Sequence, residues 1–90
     1  MSSLRRKLPE SFPFDDITWN AIASQLEFSK RQREIVELIL CDMENTEIAL
    51  HLGIKVGTLR SHLKIIYGRT ATHRHKSLIL KIFNIASRLK

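Results

Sequence analysis

The stretch Asn45–Leu63, NTEIALHLGIKVGTLRSHL, decides the fold. Two short helices that meet steeply across a tight turn need a small side chain where they cross and a residue tolerant of positive φ in the turn. They also need apolar anchors at helical spacing on both sides. Ala49 is the small residue, Gly53 falls in the turn, and Ile48, Leu52, Ile54, Leu59 and Leu63 are the anchors. The spacing is that of a helix-turn-helix, with a first helix over about 46–52 and a second over about 56–69. With Leu59, Leu63 and Ile66 turned inward, Lys55, Gly57, Arg60, Ser61 and Lys64 face outward or flank, and Arg60 and Lys64 lie one turn apart on the same side.

Outward from this stretch the chain reads as helices joined by short turns. No strand-like alternation persists, and the only prolines, Pro9 and Pro13, lie near the N-terminus. The segment SKRQREIVELILCDM opens with Ser29 and has Gln32 three residues on, a capping-box pattern, followed by Ile35, Val36, Leu38 and Ile39 at helical spacing. Before it, Asp15 or Asp16 can cap a helix over 17–26 that aligns Trp19, Ile22, Ala23 and Leu26. A last helix over about 74–89 carries Leu78, Ile79, Ile82, Ile85, Ala86 and Leu89 on a broad apolar face, with Leu80 and Phe83 off it. An apolar girdle wider than one stripe packs against two things, here the core and a second subunit. The expected architecture is all-α: an N-terminal extension over 1–27 with a short helix, then a small helical bundle over 28–90 containing the helix-turn-helix.

Ninety residues form one small domain, which buries only about 60–65% of its unfolded surface and leaves no room for a large enclosed active site. Hydrophobic residues make up 43% of the chain and charged ones 27%, so it is neither disordered nor membrane-spanning by composition. The runs IVELIL and LILKIF fall far short of the ~20 apolar residues of a spanning helix. MSSLRRKLPESF lacks the apolar core of a secretory signal, so a cytoplasmic location is expected. The lone Cys41 fits a reducing compartment and reads as an inert buried thiol.

Charge is placed unevenly. The first 28 residues hold three basic residues and four acids, the remainder twelve basic and five, and no acid follows Glu47. The overall net of +6, concentrated in the C-terminal half, points to a polyanionic partner. A helix-turn-helix presents the start of its second helix to the DNA major groove. Arg60 can read guanine through paired donors, Lys64 can reach a base or a phosphate, and Thr58 with the free N–H groups of the helix start suits phosphate. Double-stranded DNA is thus the expected partner. A helix-turn-helix used to hold a protein with an acidic surface is the alternative, and anionic-membrane binding by the last helix a weaker one.

The segment FSKRQREIVELI…NTEIALHLGIKVGTLRSHLKIIYGR resembles the LuxR/GerE-type DNA-binding domain of many bacterial response and quorum-sensing regulators, over residues 28–83. The resemblance rests on Arg31, Glu34, Asn45, Glu47, Ile48, Ala49, Leu52, Ile54, Thr58, Leu59, Arg60, His62, Ile66 and Tyr67. It implies base contacts from Arg60, Ser61 and Lys64, backbone contacts from Thr58 and Arg69, and a dimer through the fourth family helix. Asn45, Thr46 and Lys55 complete the expected backbone contacts, and Leu80, Phe83 and Leu89 the expected dimer interface. The chain departs from the family pattern at Asp42, where a glycine is usual, and at Glu44, where a serine caps, so that Asn45 is the expected cap. It departs again at Thr70-Ala71-Thr72, where Leu-Gly-Val is usual. RQREIVEL…GIKVGTLRSHL also resembles the C-terminal promoter-reading region of bacterial sigma factors, which brings in RNA polymerase as a further partner.

Other chemistry has no foothold. His73 and His75 are two residues apart, His51 and His62 lie on different helices, and no metal-ligand spacing occurs, so no metal or cofactor is expected. His62 reads as a half-buried packing residue. No nucleophile–base pair or phosphate loop is present, and no enzymatic activity is expected. Phe12, Phe14, Trp19 and Phe28 read as an apolar cap over the bundle, and Arg5, Arg6 and Lys7 as a tail. The whole reads as a stand-alone, DNA-binding transcriptional regulator acting as a homodimer.

Overall fold

The computed structural model describes residues 12–89 and, among them, five helices and no strand: α1 (Asp16–Gln25), α2 (Lys30–Leu40), α3 (Asn45–Leu52), α4 (Val56–Thr70) and α5 (His75–Arg88). The expected all-α helix-turn-helix fold is the fold observed. The basic residues Arg5, Arg6 and Lys7 lie outside the described residues.

Helix α2 is the hub. Its Ile35, Val36, Leu38 and Ile39 are fully buried, and it packs against α3, α4 and α5, while α1 lies along α5. The capping box forms as the sequence requires: the Ser29 hydroxyl accepts the Gln32 N–H at 3.2 Å, and the Gln32 side chain accepts the Ser29 N–H at 2.8 Å. At the start of α1 the Asp15 carboxylate accepts the Thr18 N–H at 2.7 Å. The cap of α3 differs from expectation. Glu44, not Asn45, is the N-cap residue, and its N–H is taken by the Glu47 carboxylate at 3.0 Å. Asn45 is released from capping because its side chain is held elsewhere, against His75.

The aromatic residues near the N-terminus belong to the core itself. Trp19 is buried, with Phe12 set edge-on to it at 5.8 Å and Phe14 stacked at 6.3 Å, and all three join the main cluster with Ile22, Leu78 and Ile82. The Trp19 Nε1–H donates to the Glu37 carboxylate at 2.6 Å, a buried charge-assisted bond. Arg33 sits over the Trp19 ring at 6.0 Å and donates to the Asn20 side chain. These links fasten α1 to α2.

One device closes four of the five helices. Glu27, Asp42, Gly53 and Ala71 all adopt left-handed backbone angles, with φ of 55°, 65°, 68° and 55°. In each case the following N–H reaches back five residues to a carbonyl: Phe28 to Ala23, Met43 to Leu38, Ile54 to Ala49 and Thr72 to Tyr67, at 2.9–3.2 Å. This is the Schellman closure, and only Gly53 adopts it without a steric penalty. A non-glycine residue there costs about 1–2 kcal/mol. Phe28, Met43 and Ile54 are half-buried against the core, where complete burial of such a side chain stabilises by about 1.5–3 kcal/mol, and Thr72 is buried with its hydroxyl bonded to that of Thr70. Core packing of the residue after the turn therefore offsets the turn's strain. Asp42 and Ala71 are two positions where the first resemblance has glycine or departs from it, and the backbone keeps the glycine-like conformation at both.

Ala71 is exposed and its methyl supports nothing in the core. The substitution Ala71→Gly is expected to raise stability by about 0.5–1 kcal/mol, read as a higher midpoint in urea unfolding. A lower midpoint would show that the left-handed turn costs less than the freedom glycine adds to the unfolded chain.

Candidate nucleic-acid interface

The rotational setting of α4 follows from its inner row. Leu59, Leu63, Ile66 and Thr70 recur at intervals of three and four and are all buried, so the opposite line of the helix must face solvent. Thr70 completes the row although it is polar, because its hydroxyl donates back to the Ile66 carbonyl at 2.9 Å and shares a hydrogen bond with the Thr72 hydroxyl at 2.8 Å. The outward line then carries Gly57, Ser61 and Gly68, with Lys64 and Ile65 on either side of it. A Cβ added at either glycine would meet nothing within 4 Å, so the outer surface of α4 is unobstructed by the rest of the described chain.

The three residues expected to contact bases lie together on one helix. Arg60, Ser61 and Lys64 are exposed on α4, and neither Arg60 nor Lys64 forms an ion pair or hydrogen bond with another described residue. The Ser61 hydroxyl donates to the Gly57 carbonyl at 3.3 Å, which leaves its lone pairs outward. Thr58 and Lys55 are exposed at the start of α4, and Thr46 is exposed in the first turn of α3. These groups surround the N-terminal half of α4.

Two of the residues expected at the DNA backbone have internal partners. The Asn45 side-chain oxygen and His75 Nε2 are 2.7 Å apart, which ties the start of α3 to the start of α5. Arg69 stands nine residues from Arg60, two and a half turns on and therefore on the opposite flank of α4. Its guanidinium donates to the carbonyl of Glu27, the left-handed residue between α1 and α2. His62 shares that far flank and is half-buried.

Sequence reasoning passed over Ile65 and the residues at the start of α5. Ile65 is 50% exposed on the outer face of α4, where the apolar period had marked only Ile66 as significant. His73, Arg74 and Lys76 lie across a cleft from Arg60 and Lys64, a juxtaposition set by the turn after Ala71 and invisible to helical periodicity. Burial pushes the Tyr67 hydroxyl above its ordinary range and holds the His75 ring below its ordinary 6.5. The three predicted dimer residues Leu80, Phe83 and Leu89 are all exposed, and one side of the Phe83 ring leans on Phe14 at a centroid distance of 5.0 Å. Among the described residues no helix is long and apolar enough to cross a membrane.

Residues 27–64 match the family model described as Sigma-70, region 4. The match runs from the turn before α2 through α3 and into α4, less than half of the chain, and it coincides with the second of the two resemblances drawn from the residues. No curated protein and no solved structure gives a significant match to the chain. With the fold, the match defines a helix-turn-helix of the DNA-binding, transcription-related kind.

The partial burial of His75 carries a pH signature. Because the folded ring binds its proton less readily than the unfolded one, the unfolded chain protonates first as the pH falls below 6.5, and stability present above that value is lost. The melting temperature is expected to fall between pH 7 and about 5.5, and His75→Gln is expected to flatten that fall. Parallel curves for the two proteins would remove His75 from the account.

Proposed function

We propose that the chain is a sequence-specific double-stranded DNA-binding transcriptional regulator that inserts α4 into the major groove. The observation that carries this reading is the outward presentation of Arg60, Ser61 and Lys64 on a helix whose opposite side is locked into the core. An α-helix is about 10–12 Å across with its side chains and the major groove about 12 Å wide, so the exposed half of α4 fits the groove without rearrangement. Arg60 pairs its donors with a guanine edge, Lys64 reaches a base or a phosphate, and the half-exposed Ile65 offers an apolar surface suited to a thymine methyl. Lys55, Thr58 and Thr46 hold the flanking phosphates. The activity is binding, with no catalytic step, and its setting is cytoplasmic.

The match to Sigma-70, region 4 supports a promoter-reading role, with RNA polymerase as a neighbour on the DNA. The resemblance to LuxR/GerE-type regulators adds a homodimer through α5. Exposure of 59% at Leu80 and 45% at Leu89 favours that second subunit, since large apolar side chains so placed gain from being covered. Light scattering across a concentration series is expected to show a dimer, and Leu80→Glu is expected to shift it to the monomer. A monomer at all concentrations would confine the function to single-site binding.

Selection from a pool of randomised duplexes tests the main reading whatever the target sequence is. The wild-type chain is expected to enrich a motif, and Arg60→Ala is expected to lose the preference at one base pair at a cost of about 1–3 kcal/mol on the enriched sequence. Equal losses on enriched and random duplexes would assign Arg60 to the backbone, and no enrichment by wild type would favour the protein-binding alternative.

A further inference from the structure

A cleft of about 720 Å³ opens along the Arg60–Lys64 flank of α4, where the starts of α3 and α5 converge. Arg60 and Lys64 form one wall and His73, Arg74 and Lys76 line the other, with Glu44 the acid among its lining residues. Four permanently cationic side chains therefore face one carboxylate. The Asn45–His75 hydrogen bond fixes the separation of the two helix starts that frame the cleft. Arg74 and Lys76 are not held there by the fold: the N-terminal turn of α5 is closed by the Ser77 hydroxyl, which accepts the Arg74 N–H at 3.3 Å and donates to the Arg74 carbonyl at 3.0 Å, both of them main-chain groups.

A helix lying in the major groove turns its outer line to the bases and its two flanks to the two sugar–phosphate strands. The flanks of α4 are unequal. On one, the Arg69 guanidinium is turned to the Glu27 carbonyl; on the other, the cationic cleft lies open. We propose that this cleft receives the phosphate backbone of one strand of the bound duplex, so that the DNA footprint extends beyond the helix-turn-helix onto the start of α5. Arg74 and Lys76 each neutralise a phosphate there. The inference rests on the DNA-binding reading and adds to it a contact surface from outside the segment that matches the sigma region.

The test is the salt dependence of affinity for a fixed duplex of random sequence, with the full chain. Each neutralised phosphate contributes about 0.9 to the slope of log affinity against log salt. The double variant Arg74→Ala/Lys76→Ala is expected to lower the magnitude of the slope by about 1.8 while leaving the motif enriched from a random pool unchanged. A second pair, Arg74→Gln/Lys76→Gln, keeps the side-chain bulk and is expected to behave alike. Lys30→Ala/Lys81→Ala removes the same charge away from the cleft and is expected to leave the slope within about 0.5 of wild type. A wild-type slope in the cleft variants, or an equal drop in the distant pair, overturns the cleft as a phosphate site and leaves DNA binding standing. A wild-type slope near zero overturns both.

Discussion

The buried row Leu59, Leu63, Ile66 and Thr70 is the constraint on which the rest of the molecule depends. A helix packed by one line of side chains has no rotational freedom left, because turning it by one residue would bring Arg60, Lys64 and Tyr67, or Thr58, His62 and Arg69, into a core filled by Ile35, Leu38 and Ile48. The face offered to solvent is therefore as strictly determined as the face in the core. Arg60, Ser61 and Lys64 owe their common exposure to this packing and not to any interaction among themselves.

The ends of the helices matter as much as their sides. Four left-handed closures set the directions in which α1, α2, α3 and α4 hand the chain on, and three of the four are made by residues that disfavour that conformation. Each survives because the next residue packs into the core and its N–H satisfies a carbonyl that the helix end would otherwise leave open. The closure at Ala71 aims the start of α5 back toward α4 and so brings Arg74 and Lys76 opposite Arg60 and Lys64.

Some cationic residues serve the fold, and others stand exposed beside α4 or, like Lys30, Lys81 and Arg88, elsewhere on the surface. Arg33 and Arg69 serve the fold, one spanning the Trp19 ring and Asn20, the other steadying the turn at Glu27, while Arg31 pairs with Glu34 at 3.3 Å. Lys55, Arg60, Lys64, Arg74 and Lys76 remain exposed on the side of α3, α4 and α5. The cationic cluster beside α4 is thus smaller than the net charge suggests. Its position coincides with the N-terminal half of α4, and the partial positive charge of a helix start adds to it. The buried Glu37 belongs with the residues that serve the fold: an acid in the basic half of the chain, kept apart from that cluster by its bond to Trp19.

The sequence by itself determined what depends on neighbours along the chain. The five helices, the capping box at Ser29, the glycine turn at Gly53 and the inward period of α4 all rest on spacings of five residues or fewer, and helical periodicity makes those legible. The exposed trio on α4 followed from the same period. Only the tertiary structure decided what depends on residues far apart in the chain. Asn45 and Arg69 look outward by position and basicity, yet each finds an internal acceptor or partner 30 or 42 residues away, and no local rule foretells such a pairing. The left-handed turns at Glu27, Asp42 and Ala71 escaped notice because no glycine marks them; their warrant is the core contact of the following residue, which exists only after the helices have packed. The same is true of the cleft between α4 and α5. Its residues are separated by a turn whose direction the strained Ala71 sets, and directions of chain reversal are a property of the assembled core, not of the period within any one helix.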